Sequence, residues 1–216
     1  MFFSDRLSVI QERIARAAKG RAVRLVAVSK FHPVEAVAEA LAAEQFCFGE
    51  NRVQEAASKF PALREAYPQI ELNLIGPLQT NKVDQAVALF DVIQTLDRPR
   101  LAEALARAFK KTARRPRLYI EVNLGAEPQK AGIAPEELKS FLKESRDVWG
   151  LKIEGLMAIP PFGQDPVPYF RQLVALADRF GLQGRSIGMS DDFESAIACG
   201  ATEVRVGTAL FGVRGK

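Results

Sequence analysis

The feature that most constrains this chain is a rhythm. Short runs rich in β-branched and apolar residues recur from end to end: 23–29 (VRLVAVS), 46–50 (FCFGE), 71–76 (ELNLIG), 91–96 (DVIQTL), 117–124 (RLYIEVNL), 152–158 (KIEGLMA), 184–190 (GRSIGMS) and 203–207 (EVRVG). Between them lie segments of helical period, such as Val34, Val37, Ala38 and Leu41, then Leu101, Leu105 and Phe109, then Leu138, Phe141 and Leu142, then Phe170, Leu173, Val174 and Ala177. Strict alternation of β and α units implies parallel strands joined by right-handed crossovers. Eight such units close a barrel. The alternative, an open doubly wound sheet, is disfavoured because the first strand-to-helix turn reads SKFHP (29–33), without a glycine-rich fingerprint. The sequence therefore predicts an α/β fold, one (β/α)8 barrel over residues 1–216. An extra N-terminal helix is expected from Leu7, Ile10, Ile14 and Ala17, which are spaced on one face with charges between them.

Length and composition agree with one domain and narrow the function classes. The 216 residues sit at the small end of the range for such barrels, and 48% apolar with 26% charged residues excludes disordered and fibrous classes. No run approaches the 18 or more apolar residues of a membrane span, and the N-terminal segment lacks the apolar core of a signal peptide. A cytoplasmic protein is expected. The formal charge of +4 favours anionic ligands without choosing among them. The densest basic run, Lys110 and Lys111 through Arg114, Arg115 and Arg117, falls where a helix should end, so it reads as a solvated helix terminus rather than a nucleic-acid patch. Cys47 and Cys199 have neither the spacing of a zinc site nor the density of a disulfide scaffold and read as reduced thiols.

In such barrels chemistry sits at the C-terminal ends of the strands, with phosphate groups often held after strands seven and eight. After the seventh run come Gly188, Met189 and Ser190, then Asp191-Asp192-Phe193-Glu194, an acidic capping-box pattern that would open a helix at Ser190. After the eighth come Gly207 and Thr208, where glycine permits close approach and threonine can start a helical turn. These residues form either a phosphate cup or ordinary loop glycines and caps. Lys30 ends the first strand, as a solvated surface lysine or as an amine opposite the cup, able to condense with a carbonyl held there. Arg205 interrupts an otherwise apolar strand. Its guanidinium either pairs with a buried acid or donates to an aromatic nitrogen of a bound cofactor. The sole histidine, His32, has no partner for a metal site and reads as a solvated loop residue.

At these residues the chain resembles the pyridoxal phosphate homeostasis protein family, whose barrel is shared with the N-terminal domain of alanine racemase. The resemblance runs through VAVSKFHP (26–33), FGENRVQE (48–55), LIGPLQTNK (74–82), EVNLG (121–125), KAGI (130–133), GLMAIPP (155–161) and the long block 188–212, GMSDDFESAIACGATEVRVGTALFG. It implies that Lys30 carries pyridoxal 5′-phosphate as a Schiff base. It also implies that Gly188, Met189, Ser190, Gly207 and Thr208 surround the phosphate, that Arg205 faces the pyridine nitrogen, and that Asn51 and Met157 border the ring. Glu50 and Arg52 would serve the scaffold. Asn73 stands where the family typically has histidine, so no role of that histidine carries over.

The resemblance further implies a non-catalytic carrier that buffers the cofactor's aldehyde and passes it to pyridoxal phosphate-dependent apo-enzymes, without nucleic acid, membrane or metal. Alanine racemase draws a tyrosine acid/base from a second domain, which is expected to be missing here, and Tyr67, Tyr119 and Tyr169 fall on no motif that replaces it. The competing readings are a single-domain amino-acid racemase and a Schiff-base aldolase without coenzyme.

Overall fold

The computed structural model describes residues 2–212. Along the chain come α1 (Phe3–Ala18), β1 (Arg24–Val28), α2 (Val34–Ala42), β2 (Cys47–Glu50), α3 (Val53–Ala66), β3 (Glu71–Leu74), a 3-10 turn (Thr80–Lys82), α4 (Val83–Leu89), β4 (Val92–Leu96), α5 (Pro99–Lys111), β5 (Arg117–Glu121), α6 (Leu138–Asp147), β6 (Ile153–Met157), α7 (Val167–Arg179), β7 (Gly184–Ser186), α8 (Phe193–Cys199), β8 (Glu203–Val206) and α9 (Thr208–Phe211). The eight strands are parallel, pair in chain order and close β8 onto β1, with Val26 opposite Arg205 and Ala27 opposite Val206. This is the expected (β/α)8 barrel.

Strand alternation divides the side chains into two populations. Those pointing outward, including Ala27, Phe48, Leu72, Leu74, Ile93, Leu118, Ile120, Leu156, Val204 and Val206, join the helices in one continuous apolar core. Helix α1 packs against α8, α9 and α2, filling the gap in the helical ring left by the short α9. Its buried face is Phe3, Leu7, Ile10, Ile14 and Ala18, and Arg13 pairs with Glu194 at 2.7 Å. No helix among the described residues is long and apolar enough to cross a membrane.

The inward-facing population is different. A small apolar cluster of Val92, Tyr119 and Met157 forms there. Beside it runs a hydrogen-bonded chain: Gln94 Nε2 donates to Asn73 Oδ1 at 3.0 Å and to Glu203 Oε1, Ser186 Oγ donates to Gln94 Oε1 at 2.7 Å, and Arg205 Nη1 donates to Ser186 Oγ at 2.6 Å. Asn73, Gln94 and Ser186 are fully buried. Buried polar groups are tolerated only when paired, so this chain fixes the register of β3, β4, β7 and β8 against one another.

The strands stop earlier than the sequence predicts at several C-terminal ends. β7 ends at Ser186, so Gly188, Met189 and Ser190 lie in the following loop. The capping box expected there does not form: α8 begins three residues after Ser190, Asp192 caps it without a side-chain bond, and Glu194 turns outward to Arg13. Lys30 lies two residues beyond β1, within a turn. The basic run does end a helix, with Lys110 and Lys111 in the last turn of α5, and its cations engage Asp84, Asp91 and Glu71.

Candidate functional site

All nine residues singled out from the sequence lie at the C-terminal end of the barrel, on or just past β1, β2, β6, β7 and β8. The turn after β1 presents Lys30 half-buried, between Ser29 and Phe31, whose φ of 66° places it in the left-handed region. An L-residue with a bulky side chain rarely adopts that conformation, so something must hold the turn. The holder is Lys59 of α3, 7% exposed, whose ammonium donates to Ser29 O at 3.1 Å and His32 O at 3.0 Å. The same Nζ lies 2.8 Å from Glu50 Oε1 and 2.7 Å from Glu55 Oε1. Glu50, fully buried at the end of β2, also accepts from Ser29 Oγ at 2.8 Å. Burial pushes its pKa up, against the pull of Lys59 and Ser29.

The loops after β7 and β8 meet. Ser190 Oγ accepts from the Gly207 N–H at 3.3 Å, and the Gly188 carbonyl accepts from Arg205 N at 3.0 Å. Gly188 has φ 98°, and a Cβ there would sit 2.6 Å from that of Ala196. Asp192 Oδ1 ties down the Met189 N–H at 2.6 Å. Thr208 is the first residue of α9 and exposed; the N–H groups of Ser190, Asp191, Thr208 and Ala209 find no backbone acceptor among the described residues. The result is two hydroxyls and several undirected N–H donors on two loops that touch.

Arg205 is 4% exposed and makes no ion pair among the described residues, which corrects the simpler of the two sequence expectations. Its Nη1 donates to Ser186 O at 2.8 Å and to Ser186 Oγ, and its Nη2 to Ala158 O at 2.9 Å. Burial draws its pKa down, while Glu203, Glu121 and Asp192 raise it. Three bonds to fixed acceptors leave the Nε–H and one Nη2–H without acceptor among the described residues.

Asn51 follows β2 directly, and its Oδ1 is buried without a partner among the described residues. A side chain on Gly76 would lie 2.3 Å from the Asn51 carbonyl, so glycine there is what lets the two loops touch. Met157 is fully buried at the end of β6, opposite Glu121. Arg52 stands at the N-cap of α3 and lies over the Phe31 ring at 5.7 Å. His32 is not a solvated loop residue: it is half-buried and stacks on Phe211 at 4.9 Å.

One neighbouring group escaped the sequence. Glu121 ends β5 with Oε2 buried and unpartnered among the described residues, and burial, reinforced by Asp97 and opposed by Arg205, raises its pKa to about 7. The signal was an acid closing an apolar strand at the chemical end of the barrel. No cluster of metal-ligating side chains occurs among the described residues.

A profile of the alanine racemase N-terminal domain family matches residues 6–215. The pyridoxal phosphate homeostasis protein of Aquifex aeolicus is 41% identical, over 97% of both chains. The structure of Synechococcus elongatus PipY with pyridoxal phosphate bound is 38% identical, with a TM-score of 0.87 over 97% of this chain and 100% of that one. An alanine racemase from Clostridium difficile shares the fold at 15% identity and a TM-score of 0.71, and this chain covers 56% of it.

Proposed function

The chain belongs to the family of pyridoxal phosphate homeostasis proteins built on the alanine racemase N-terminal domain, and from that premise we propose that it binds pyridoxal 5′-phosphate and serves its homeostasis in the cytoplasm, as one domain over residues 1–216. The observation that carries this reading is the likeness, over nearly the whole of both chains, to a structure that holds pyridoxal phosphate.

The residues fit the ligand. The undirected N–H donors and the hydroxyls of Ser190 and Thr208 suit a phosphate, and glycine at 188, with φ 98° and a would-be Cβ 2.6 Å from that of Ala196, lets the β7 loop pack close on α8. Met189 shapes the loop between them. Lys30 supplies the amine that joins the cofactor's aldehyde covalently. Arg205 presents its remaining N–H groups to the pyridine nitrogen, while Asn51, with its orphaned amide oxygen, and Met157 flank the ring. Bound there, pyridoxal phosphate supplies an aldehyde that condenses reversibly with amines and a ring that can withdraw electrons from them.

The chain's own groups favour holding over turnover. Arginine keeps its proton, so Arg205 leaves the pyridine nitrogen without one and the ring a poor electron sink. Racemisation also needs an acid/base on each face of the substrate carbon, and loss of one such group typically costs about 10²–10⁴-fold. The protein is therefore a carrier whose acceptors are pyridoxal phosphate-dependent apo-enzymes. Loss of optical rotation in L-alanine tests this: turnover far below about 10 s⁻¹ is expected, whereas a rate near that value, abolished in Lys30→Ala, would make the protein a racemase.

A further inference from the structure

A cavity of about 700 Å³ opens at the N-terminal mouth of the barrel, the end opposite Lys30. That end of such barrels normally serves stability. Glycine at 184 lets a ring close over the sheet there, since a Cβ on Gly184 would lie 2.5 Å from the ring and hydroxyl of Tyr119. Tyr119 therefore lies against bare backbone and lines the cavity. It is 5% exposed, and its hydroxyl makes no hydrogen bond among the described residues. Burial, reinforced by Glu203, pushes its pKa up, so the phenol stays a proton donor.

The charges around the mouth do not cancel. Arg24 and Arg117 converge on one carboxylate, each spending a single N–H on Glu71 at 2.6 Å. Two cations share one anion, and the remaining guanidinium N–H groups have no acceptor among the described residues. Two further acids face the space. Glu154 lies 3.9 Å from Lys152, and Glu203 accepts from Gln94 while burial favours its neutral form. Val23, Ile153 and Leu182 supply an apolar wall. Guanidinium groups match carboxylates in geometry, and the Tyr119 hydroxyl, open to the cavity, can donate to an acceptor brought to it.

We propose that this mouth binds a small organic monocarboxylate with an apolar body, its carboxylate on Arg24, Arg117 and the Tyr119 hydroxyl and its carbon chain against Val23, Ile153 and Leu182. The site is separate from the cofactor site and does not depend on it.

Sodium isovalerate titrated into the full-length, cofactor-loaded protein with labelled methyl groups tests this, with sodium chloride as the matched salt and isoamyl alcohol as the uncharged analogue. Saturable shifts centred on the Val23, Ile153 and Leu182 methyls are expected. Arg117→Gln should weaken binding about tenfold, because a hydrogen bond to a charged group is lost, and Tyr119→Phe severalfold; Lys30→Ala should leave it unchanged. Equal shifts with chloride, equal affinity for the alcohol, shifts that never saturate, or shifts that vanish in Lys30→Ala would each overturn the proposal. The wild-type methyl map and the alcohol comparison decide the matter even if Arg117→Gln does not fold.

Discussion

Lys59→Met replaces the buried ammonium that pins the Lys30 turn with an apolar chain of similar length. Four acceptors around its three N–H groups lose a partner: Ser29 O, His32 O, Glu50 Oε1 and Glu55 Oε1, of which Ser29 O keeps the His32 N–H and Glu55 Oε1 the Phe31 N–H. Glu55 is partly solvated, but Glu50 is fully buried, keeps only the Ser29 hydroxyl and already has Oε2 unpartnered. Removing one member of a buried pair costs about 3–5 kcal/mol. Glu50 can escape by taking a proton. From an ordinary carboxylate pKa near 4.3, protonation at pH 7 costs about 3.7 kcal/mol at 1.36 kcal/mol per pH unit, which caps the loss. We expect about 3 kcal/mol of destabilisation at pH 7 and about 1 kcal/mol at pH 5, since the escape is cheaper there. Urea denaturation of the cofactor-free protein at both pH values measures this. Lys59→Met combined with Glu50→Gln should recover part of the loss. A loss below about 1 kcal/mol at pH 7, or one independent of pH, would show that the pair does not hold the turn.

Two more outcomes follow from the upper end of the barrel. Glu121, raised to about 7, favours its neutral form in the folded state, so folding is more stable below its ordinary range near 4.5 and loses stability as pH climbs through about 7. The full shift corresponds to at most about 3 kcal/mol, and Glu121→Gln should flatten the pH profile of chemical denaturation over that window. An unchanged profile would place the titration elsewhere. Ser190→Ala and Thr208→Val should each weaken retention of pyridoxal phosphate by about 1.5–3 kcal/mol, the worth of a hydrogen bond to a charged acceptor, and the double variant more; equilibrium dialysis that finds all three unchanged would remove the phosphate cup.

The fold was legible because its signal is repetitive. Each observed strand falls inside a predicted run, and the overshoot at the end of β1 and of β7 covers residues that leave the sheet to build the site. Position was legible for Lys30, Ser190, Gly207 and Thr208, because barrel topology alone sends strand ends to one face. Contacts were not. Arg205 reads as a charge needing an acid, yet the fold gives it a hydroxyl and two backbone carbonyls. Asn73, Gln94, Ser186 and Glu203 appear singly in four apolar runs, and only closure of the barrel shows that they touch. The Asp191–Glu194 pattern looked like a capping box because spacing cannot reveal that Arg13, 181 residues away in sequence from Glu194, claims the glutamate. Lys59 carried no motif at all; its role exists only where α3 passes under the first turn.

The central claim is that Lys30 carries the cofactor. Borohydride reduction of the protein loaded with pyridoxal phosphate, followed by peptide mass mapping, tests it most directly. The account predicts one equivalent of reduced cofactor on the peptide containing Lys30, with no such adduct and no visible absorption band in Lys30→Ala. Reduced cofactor found mainly on Lys82 or Lys130, or retained in full by Lys30→Ala, would contradict it.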